Sequence, residues 1–328
     1  MKTLSFSSCM GPYISGLIEQ KQLAGFQYKS DSYILKRFDY HCIEQDVKDA
    51  VITRKLIGSW SELRPTEGKS FRKRRITCVR QLALYMASQG IESYIPRNFS
   101  DNEKTVPHIL SDAEIIALFE SVDTYRPGGA SSRMHIYNRL ALEYRILFRM
   151  IYCCGLRLAE ACYLKTVNMN LNTGIITVLQ SKGNKDRLVY LPEDLRALCV
   201  DYSERMTNLL GILPEWFFPG LSETAPILKT SIDRKFRYFW NRIDLAEICD
   251  KRPTVHCLRH TFVVKRMNLW MAEGIKLDSM MPYLSKHLGH SGRDETFYYF
   301  HQVDSAFAII RQKDRISGKV IPEVPYEE

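Results

Sequence analysis

Apolar residues recur mostly every three or four positions along this chain, which predicts helices over most of its length. Residues 11–62 read as largely helical, with Tyr33, Ile34, Phe38 and Ile43 as core candidates. From Ile76, the positions Val79, Leu82, Ala83 and Met86 mark an amphipathic helix that stops near Gly90. The polar, proline-bearing stretch 93–103 then reads as an interdomain linker, with a boundary near residue 105. A new helix opens with Ser111 as N-cap, Asp112 and Glu114 in its first turn, and Ile115, Leu118 and Phe119 on its apolar face. Leu140, Tyr144, Leu147, Ile151 and Cys154 continue at helical spacing until Gly155 interrupts them.

The period then shortens. Residues 175–179 and 188–191 are apolar runs flanking the polar segment 181–187, which predicts a β-hairpin with a basic loop. Helical periodicity returns at 229–247 and 255–287, separated by Lys251-Arg252-Pro253. Val303, Ala306, Ile309 and Ile310 form a last apolar face, too short to be stable unless it docks. The expected fold is mainly α with a small β-hairpin, in two domains. A helical domain and linker fill 1–105, a mixed α/β domain fills 106–302, and a C-terminal helix and tail fill 303–328.

A length of 328 residues suits two domains, and 45% hydrophobic with 25% charged residues suits a packed core. No apolar run is long enough to span a bilayer, and Gly11, Pro12 and Glu19 interrupt the start where a signal peptide is unbroken. A cytoplasmic protein with no membrane partner is expected. Nine cysteines, an odd number with no CxxC pair, fit reduced thiols acting as small buried residues.

Charge changes the picture more. Lys and Arg exceed Asp and Glu by 9, and residues 1–105 hold 17 basic against 11 acidic side chains, a net of +6. Such a balance favours a polyanionic partner. The densest cluster, Lys69, Arg72, Lys73, Arg74 and Arg75, precedes the apolar face at 76–86. Cations disfavour a helix N-terminus unless an anion sits there, so the cluster is a candidate phosphate contact as well as a solvated helix end.

Four further blocks carry chemistry. In Cys154-Gly155-Leu156-Arg157-Leu158-Ala159-Glu160, Arg157 and Glu160 share a helix face, as a plain salt bridge would require. Residues 181–187 hold Lys182 in the hairpin loop, where most lysines are merely solvated. His256-Cys257-Leu258-Arg259-His260 places two imidazoles and a guanidinium within one turn. Cys257 stands where a zinc-hydrolase HExxH motif needs Glu, so no metal is expected there. Leu288-Gly289-His290 is followed by Thr296-Phe297-Tyr298-Tyr299-Phe300-His301, an aromatic run that alone would suit a core.

Together, in this order and spacing, the blocks resemble the tyrosine recombinase (phage integrase) family over about residues 107–302. The family pattern runs GLR-x-x-E, K-G-x-K-x-R, H-x-L-R-H, L-G-H, then a tyrosine followed closely by His. The resemblance implies a two-domain DNA clamp, with a helical core-binding domain and a mixed α/β catalytic domain. It implies Arg157 and Arg259 as a phosphate-binding pair, Lys182 as proton donor, His256 and His290 as the histidine positions, Glu160 as their acidic support, and Tyr299 as nucleophile. Tyr299 is favoured over Tyr298 because it lies nine residues after His290 and two before His301. A base is needed beside the phenol, and His256 is the expected one. Arginines would take the place of a metal, and no cofactor is expected.

The implied activity is site-specific recombination through a 3′-phosphotyrosyl link, in integration or transposition of a mobile element. The implied partners are double-stranded DNA bearing a specific recombination site and further copies of the chain, as a tetramer on two sites. The resemblance leaves room for accessory DNA-bending proteins. A type IB topoisomerase shares similar chemistry without synapsis, and a catalytically silent DNA-binding accessory protein could keep the fold. The completeness of the residue set favours the recombinase.

Overall fold

The computed structural model describes residues 4–97, 106–128, 132–179, 186–249, 252–290 and 294–299. The chain divides into two compact units, Met1–Thr105 and Val106–Glu328. The loop lysine Lys182 and the tail 303–328 lie outside the described residues.

The first unit holds α1 (Gly11–Leu23), α2 (Lys29–Glu44), α3 (Arg54–Ser61) and α4 (Lys69–Ser88). Its core gathers Ile14, Leu35, Phe38, Trp60, Val79, Leu82 and Met86. On α2 the inward face is set by Ile34, Leu35, Phe38 and Cys42, all buried. Tyr33 and Ile43 fall on the opposite side of that helix and stay 63% and 47% exposed, so these two core expectations fail on helical phase.

The basic cluster also divides by phase. Arg75 is one turn before Cys78 and Val79 on the inward face of α4, and its side chain is 1% exposed. Its Nε and Nη2 donate to the Glu67 carboxylate at 2.8 and 2.6 Å, Nη2 also donates to the Glu62 carbonyl, and Nη1 donates to the Trp60 carbonyl. The guanidinium lies 4.7 Å from the Trp60 ring centroid. Arg75 is therefore a strut of the core and not a surface contact for an anion. Arg74 pairs with Asp31 at 2.7 Å, and Arg72 Nε donates to the Ser61 carbonyl at 2.6 Å.

The second unit opens with α5 (Asp112–Asp123), whose capping box is complete: Glu114 N–H donates to Ser111 Oγ, and Ser111 N–H donates to the Glu114 carboxylate. The long α6 (Met134–Cys154) buries Leu140, Tyr144, Leu147, Ile151 and Cys154 as its spacing predicts. After α7 (Leu158–Cys162) come β1 (Met169–Asn170), β2 (Ile175–Val178) and β3 (Arg187–Tyr190), an antiparallel sheet in that order. The β2–β3 register pairs Ile176 with Val189 and Val178 with Arg187. β1 has only two residues, too few to show a strand period.

Then follow α8 (Glu193–Leu210), α9 (Lys229–Trp240), α10 (Val255–Ala272), α11 (Leu277–Leu288) and the short α12 (Asp294–Phe297). The periodic stretch 255–287 is thus two helices, parted at Gly274 with φ +75°. α6 packs against both α8 and α10, so the helix bearing the His256–His260 block is seated on the middle of the core. All nine cysteines are free thiols, six of them buried; Cys9, Cys153 and Cys249 are half-buried.

Removing one partner of a buried ion pair leaves the other charge uncompensated, whereas exposed pairs contribute little. Arg75→Ala should lower the stability of the protein to chemical denaturation by about 3 kcal/mol. Arg74→Ala, at a half-exposed pair, should cost less than about 1 kcal/mol. Equal small effects would mean that Arg75 is not the strut described.

Candidate active site

Two helix ends and one carboxylate build the site. α6 and α11 each end in a glycine in the left-handed region, Gly155 with φ +63° and Gly289 with φ +64°. A Cβ on Gly155 would meet the Phe262 ring at 2.6 Å, and one on Gly289 would meet the guanidinium of Arg187 at 3.1 Å and that of Arg157 at 3.3 Å. Both glycines therefore meet a backbone demand and a space demand together. Beyond Gly289, His290 N–H donates back to the Ser285 carbonyl at 3.0 Å, closing the helix.

The last carbonyls of a helix lack partners within it and carry partial negative charge. Here three consecutive ones each accept from a different arginine. Arg187 Nε donates to the His287 carbonyl at 2.5 Å, Arg259 Nη2 to Leu288 at 2.8 Å, and Arg157 Nη2 to Gly289 at 2.9 Å. Arg259 Nη1 also reaches the Gly155 carbonyl at 2.6 Å.

Glu160 binds the same group from the other side. Its Oε1 accepts from Arg157 Nη1 and Arg187 Nη1, each at 2.9 Å, and its Oε2 accepts from Arg187 Nη2 at 2.7 Å and from the Arg157 backbone N–H at 2.8 Å. Arg259 Nη1 lies 4.0 Å from the same carboxylate. The Glu160 side chain is 6% exposed. Three guanidiniums against one carboxylate leave the site strongly cationic. Burial, then the nearby Arg157, lowers Arg259 to about 10, with Glu160 opposing the shift.

The imidazoles and the phenol stand against this group. His290 Nε2 is 3.1 Å from Arg259 Nη2, and its Nδ1 is 2.7 Å from Thr296 Oγ1. The neutral tautomer that satisfies both has Nε2 accepting from the guanidinium and Nδ1–H donating to the threonine. Tyr299 Oη lies 2.7 Å from His260 Nδ1, the Tyr299 ring lies parallel to that of His290 with centroids 6.5 Å apart, and Tyr299 is 4% exposed. His256 packs its ring edge-on against His260 at 4.4 Å.

Arg157, Glu160, His256, Arg259, His290 and Tyr299, all expected from sequence, thus come together, while Lys182 lies outside the described residues. The base position reads differently: the imidazole that meets the phenol is that of His260, one residue after Arg259, and not that of His256. Arg187 was also missed, although it closes the K-G-x-K-x-R block. His260 was visible four residues after His256, at the spacing that stacks side chains on one helix face.

Burial pushes His256 down to about 4, with Arg259 and Arg157 acting in the same sense. Burial also lowers His260 to about 3, helped by His256 and Arg259, and His290 to about 3, helped by Arg259 and Arg157. At neutral pH these rings are uncharged; in the tautomer with its proton on Nε2, His260 Nδ1 accepts the hydrogen bond of the Tyr299 hydroxyl, and an anion bound beside the arginines would raise this weakly basic imidazole toward the strength a base needs. Burial raises the Tyr299 phenol above its ordinary value while Arg259 pulls it down. The phenol is therefore protonated at neutral pH and requires a base. Among the described residues, the His, Cys and acidic donors that converge within metal-binding range are His108, Glu114 and Cys249, which are not part of this site.

An imidazole held below its unfolded value binds its proton in the unfolded chain first. Stability is then complete above about pH 6.5 and is lost as pH falls toward the folded values of these histidines. Replacing His260 with Asn should reduce the slope of unfolding free energy between about pH 6 and pH 4 by up to about 1.4 kcal/mol per pH unit, measured by denaturant titration. An unchanged slope would show that His260 is not held neutral.

The chain matches the model of the phage integrase family over residues 129–305, more than half its length. The provisionally named integrase/recombinase y4rE of Sinorhizobium fredii (strain NBRC 101917 / NGR234) is 26% identical, over 96% of this chain and 98% of that protein. Tyrosine recombinase XerC of Chlorobaculum tepidum (strain ATCC 49652 / DSM 12025 / NBRC 103806 / TLS) is 30% identical, over 61% of this chain and 58% of its own length. A solved structure of the Tn1549 transposon integrase in complex with a circular intermediate DNA has a TM-score of 0.62 and 16% identity, covering 92% of this chain and 99% of that one, a likeness of fold. The four sequence blocks, their convergence on one arginine-rich site and the family match agree, and the chain belongs to the phage integrase family.

Proposed function

We propose that this protein is a site-specific DNA recombinase that cuts and rejoins duplex DNA through a phosphotyrosyl intermediate on Tyr299. The observation that carries this reading is the 2.7 Å contact of the Tyr299 hydroxyl with a neutral His260, beside the Arg157–Arg187–Arg259 group. A phosphodiester repels nucleophiles, and the charge on its oxygens grows as attack proceeds. Always-charged planar guanidiniums, already fixed in place, match that charge without reorganising.

In the proposed step Tyr299 Oη bonds to phosphorus as its proton passes to His260 Nδ1. The bond from phosphorus to the 5′ oxygen breaks, and that oxygen takes a proton, for which Lys182 is the proposed donor. His290, hydrogen-bonded to Arg259 and Thr296, is the proposed support that orients the Arg259 guanidinium toward a non-bridging oxygen. The phosphotyrosyl bond conserves the energy of the cleaved backbone, so a 5′-hydroxyl of a second strand can reverse the attack without a nucleotide cofactor. Exchange between two duplexes requires more than one protomer, and a tetramer on two sites is the proposed assembly. The basic start of α4, through Lys69, Arg72, Lys73 and Arg74, is the proposed DNA-facing part of the first unit, with Arg75 excluded. Mobile-element movement in the cytoplasm is the proposed setting.

On a nicked suicide duplex carrying the recombination site, Tyr299→Phe should abolish the denaturation-resistant protein–DNA adduct while keeping DNA affinity within about twofold. Tyr298→Phe should still form it, and His260→Ala should slow it by about 100-fold or more. Adduct formation by Tyr299→Phe would overturn the assignment, and full-rate cleavage by His260→Ala would return the base role to another group. Cleavage should also persist in EDTA, since the arginines supply the charge stabilisation that a metal would otherwise provide. Loss in EDTA with rescue by magnesium would contradict this.

A further inference from the structure

A second convergence of reactive side chains lies where the second unit begins. His108 Nε2 is 2.8 Å from Glu114 Oε1, and Cys249 Sγ is 3.8 Å from His108 Nδ1 and 4.0 Å from Nε2. One ligand atom from each of the three residues lies within 4.8 Å of the others, and all three side chains are half-buried. Glu114 is fixed by its capping role, with Oε2 accepting from the Ser111 N–H at 2.7 Å, which leaves Oε1 directed at the imidazole. The His108 ring stands edge-on to Trp240 at 6.2 Å.

We propose that His108, Glu114 and Cys249 bind a divalent ion of the zinc class, with water completing a tetrahedral shell. Imidazole nitrogen, thiolate sulfur and carboxylate oxygen are the donors zinc takes in proteins. Bonds of about 2.0–2.3 Å at tetrahedral angles set ligand atoms about 3.3–3.8 Å apart. The His108–Glu114 separation of 2.8 Å and the His108–Cys249 separations of 3.8 and 4.0 Å bracket that range, and all three donors lie within 4.8 Å of one another, so binding requires side-chain adjustment about one centre. A His–Glu hydrogen bond at a helix start is ordinary by itself. The sulfur makes the difference, because it adds a third donor of a kind zinc takes, at 3.8–4.0 Å from the ring nitrogens, the outer limit of a sulfur hydrogen bond and close to the separation of fellow ligands. Binding displaces the thiol proton to solvent and involves no change of oxidation state.

The position gives the ion a role. His108 belongs to the segment leading into α5, Glu114 to the first turn of α5, and Cys249 precedes α10, which carries Arg259 and His260. Between them, the Leu110 N–H donates at 2.9 Å to Thr261 Oγ1, a buried hydroxyl next to His260. An ion at this point fastens the entry of the second unit to the approach of the active-site helix, so it strengthens the fold around the site while taking no part in phosphoryl transfer.

The test is a titration of full-length protein, first freed of metal by chelation, with cobalt chloride and then zinc chloride. One equivalent of cobalt should give tetrahedral visible bands and a thiolate-to-cobalt charge-transfer band, both removed by zinc. Cys249→Ser should lose the charge-transfer band and His108→Ala should weaken binding at least 10-fold, while Cys9→Ser and Cys153→Ser leave the spectrum unchanged. Zinc should raise the melting temperature of the unmodified protein by about 5 °C. In case a variant folds poorly, alkylation of Cys249 in the unmodified protein is followed by peptide mass spectrometry, and zinc should slow it at least 10-fold. Absence of the charge-transfer band, its persistence in Cys249→Ser, or alkylation of Cys249 at the same rate with and without zinc would each overturn the proposal.

Discussion

Everything in the site depends on one electrostatic arrangement: three guanidiniums held between the Glu160 carboxylate and the final carbonyls of α11. Like charges so placed repel, and burial adds a desolvation cost. The lowering of Arg259 to about 10 expresses both, with burial the larger cause. The arrangement holds because each guanidinium has oxygens on more than one side: Arg187 has both acid oxygens and the His287 carbonyl, Arg157 has one acid oxygen and the Gly289 carbonyl, and Arg259 has one carbonyl from each helix end. It stays short of neutrality, and that residual positive charge is what an incoming phosphate would satisfy.

The same charge, together with burial, acts on Tyr299, the proposed nucleophile. Burial first, then the charges nearby, opposes protonation of the three imidazoles, which remain neutral, and burial keeps the proton on the Tyr299 phenol. His260 and Tyr299 are thus a poised pair whose reactivity depends on what the arginines hold. Small disturbances at Gly155 or Gly289 would reach the pair through the carbonyls those helix ends present, since a side chain at Gly155 would collide with Phe262 and one at Gly289 would press on the Arg187 and Arg157 guanidiniums, both from a backbone conformation that favours glycine.

Much of this was legible in the sequence. The capping box at Ser111, the apolar face of α6 and the β2–β3 hairpin follow from local periodicity and hydrogen-bonding chemistry, and the structure has them at those places. The candidate catalytic set was legible for another reason, the family resemblance of its four blocks. What escaped depended on helical phase and long-range contact. Arg75 looked like its basic neighbours until α4 turned it onto Trp60 and Glu67. His260 and His256 are both four-spaced imidazoles on one helix, and only the approach of Tyr299 from a distant segment decides which meets the phenol. Arg187 lies 27 residues from the glutamate it binds, a distance over which sequence carries no pairing signal.

The central claim is that this cationic site presents one particular phenol to a phosphodiester. Mass spectrometry of the trapped protein–DNA adduct, after digestion of both components, measures it directly by locating the nucleotide remnant on a peptide. The account predicts the remnant on Tyr299 through a phosphotyrosyl bond, with Tyr298 in the same peptide unmodified. A remnant on Tyr298, or on any residue outside this peptide, would contradict it.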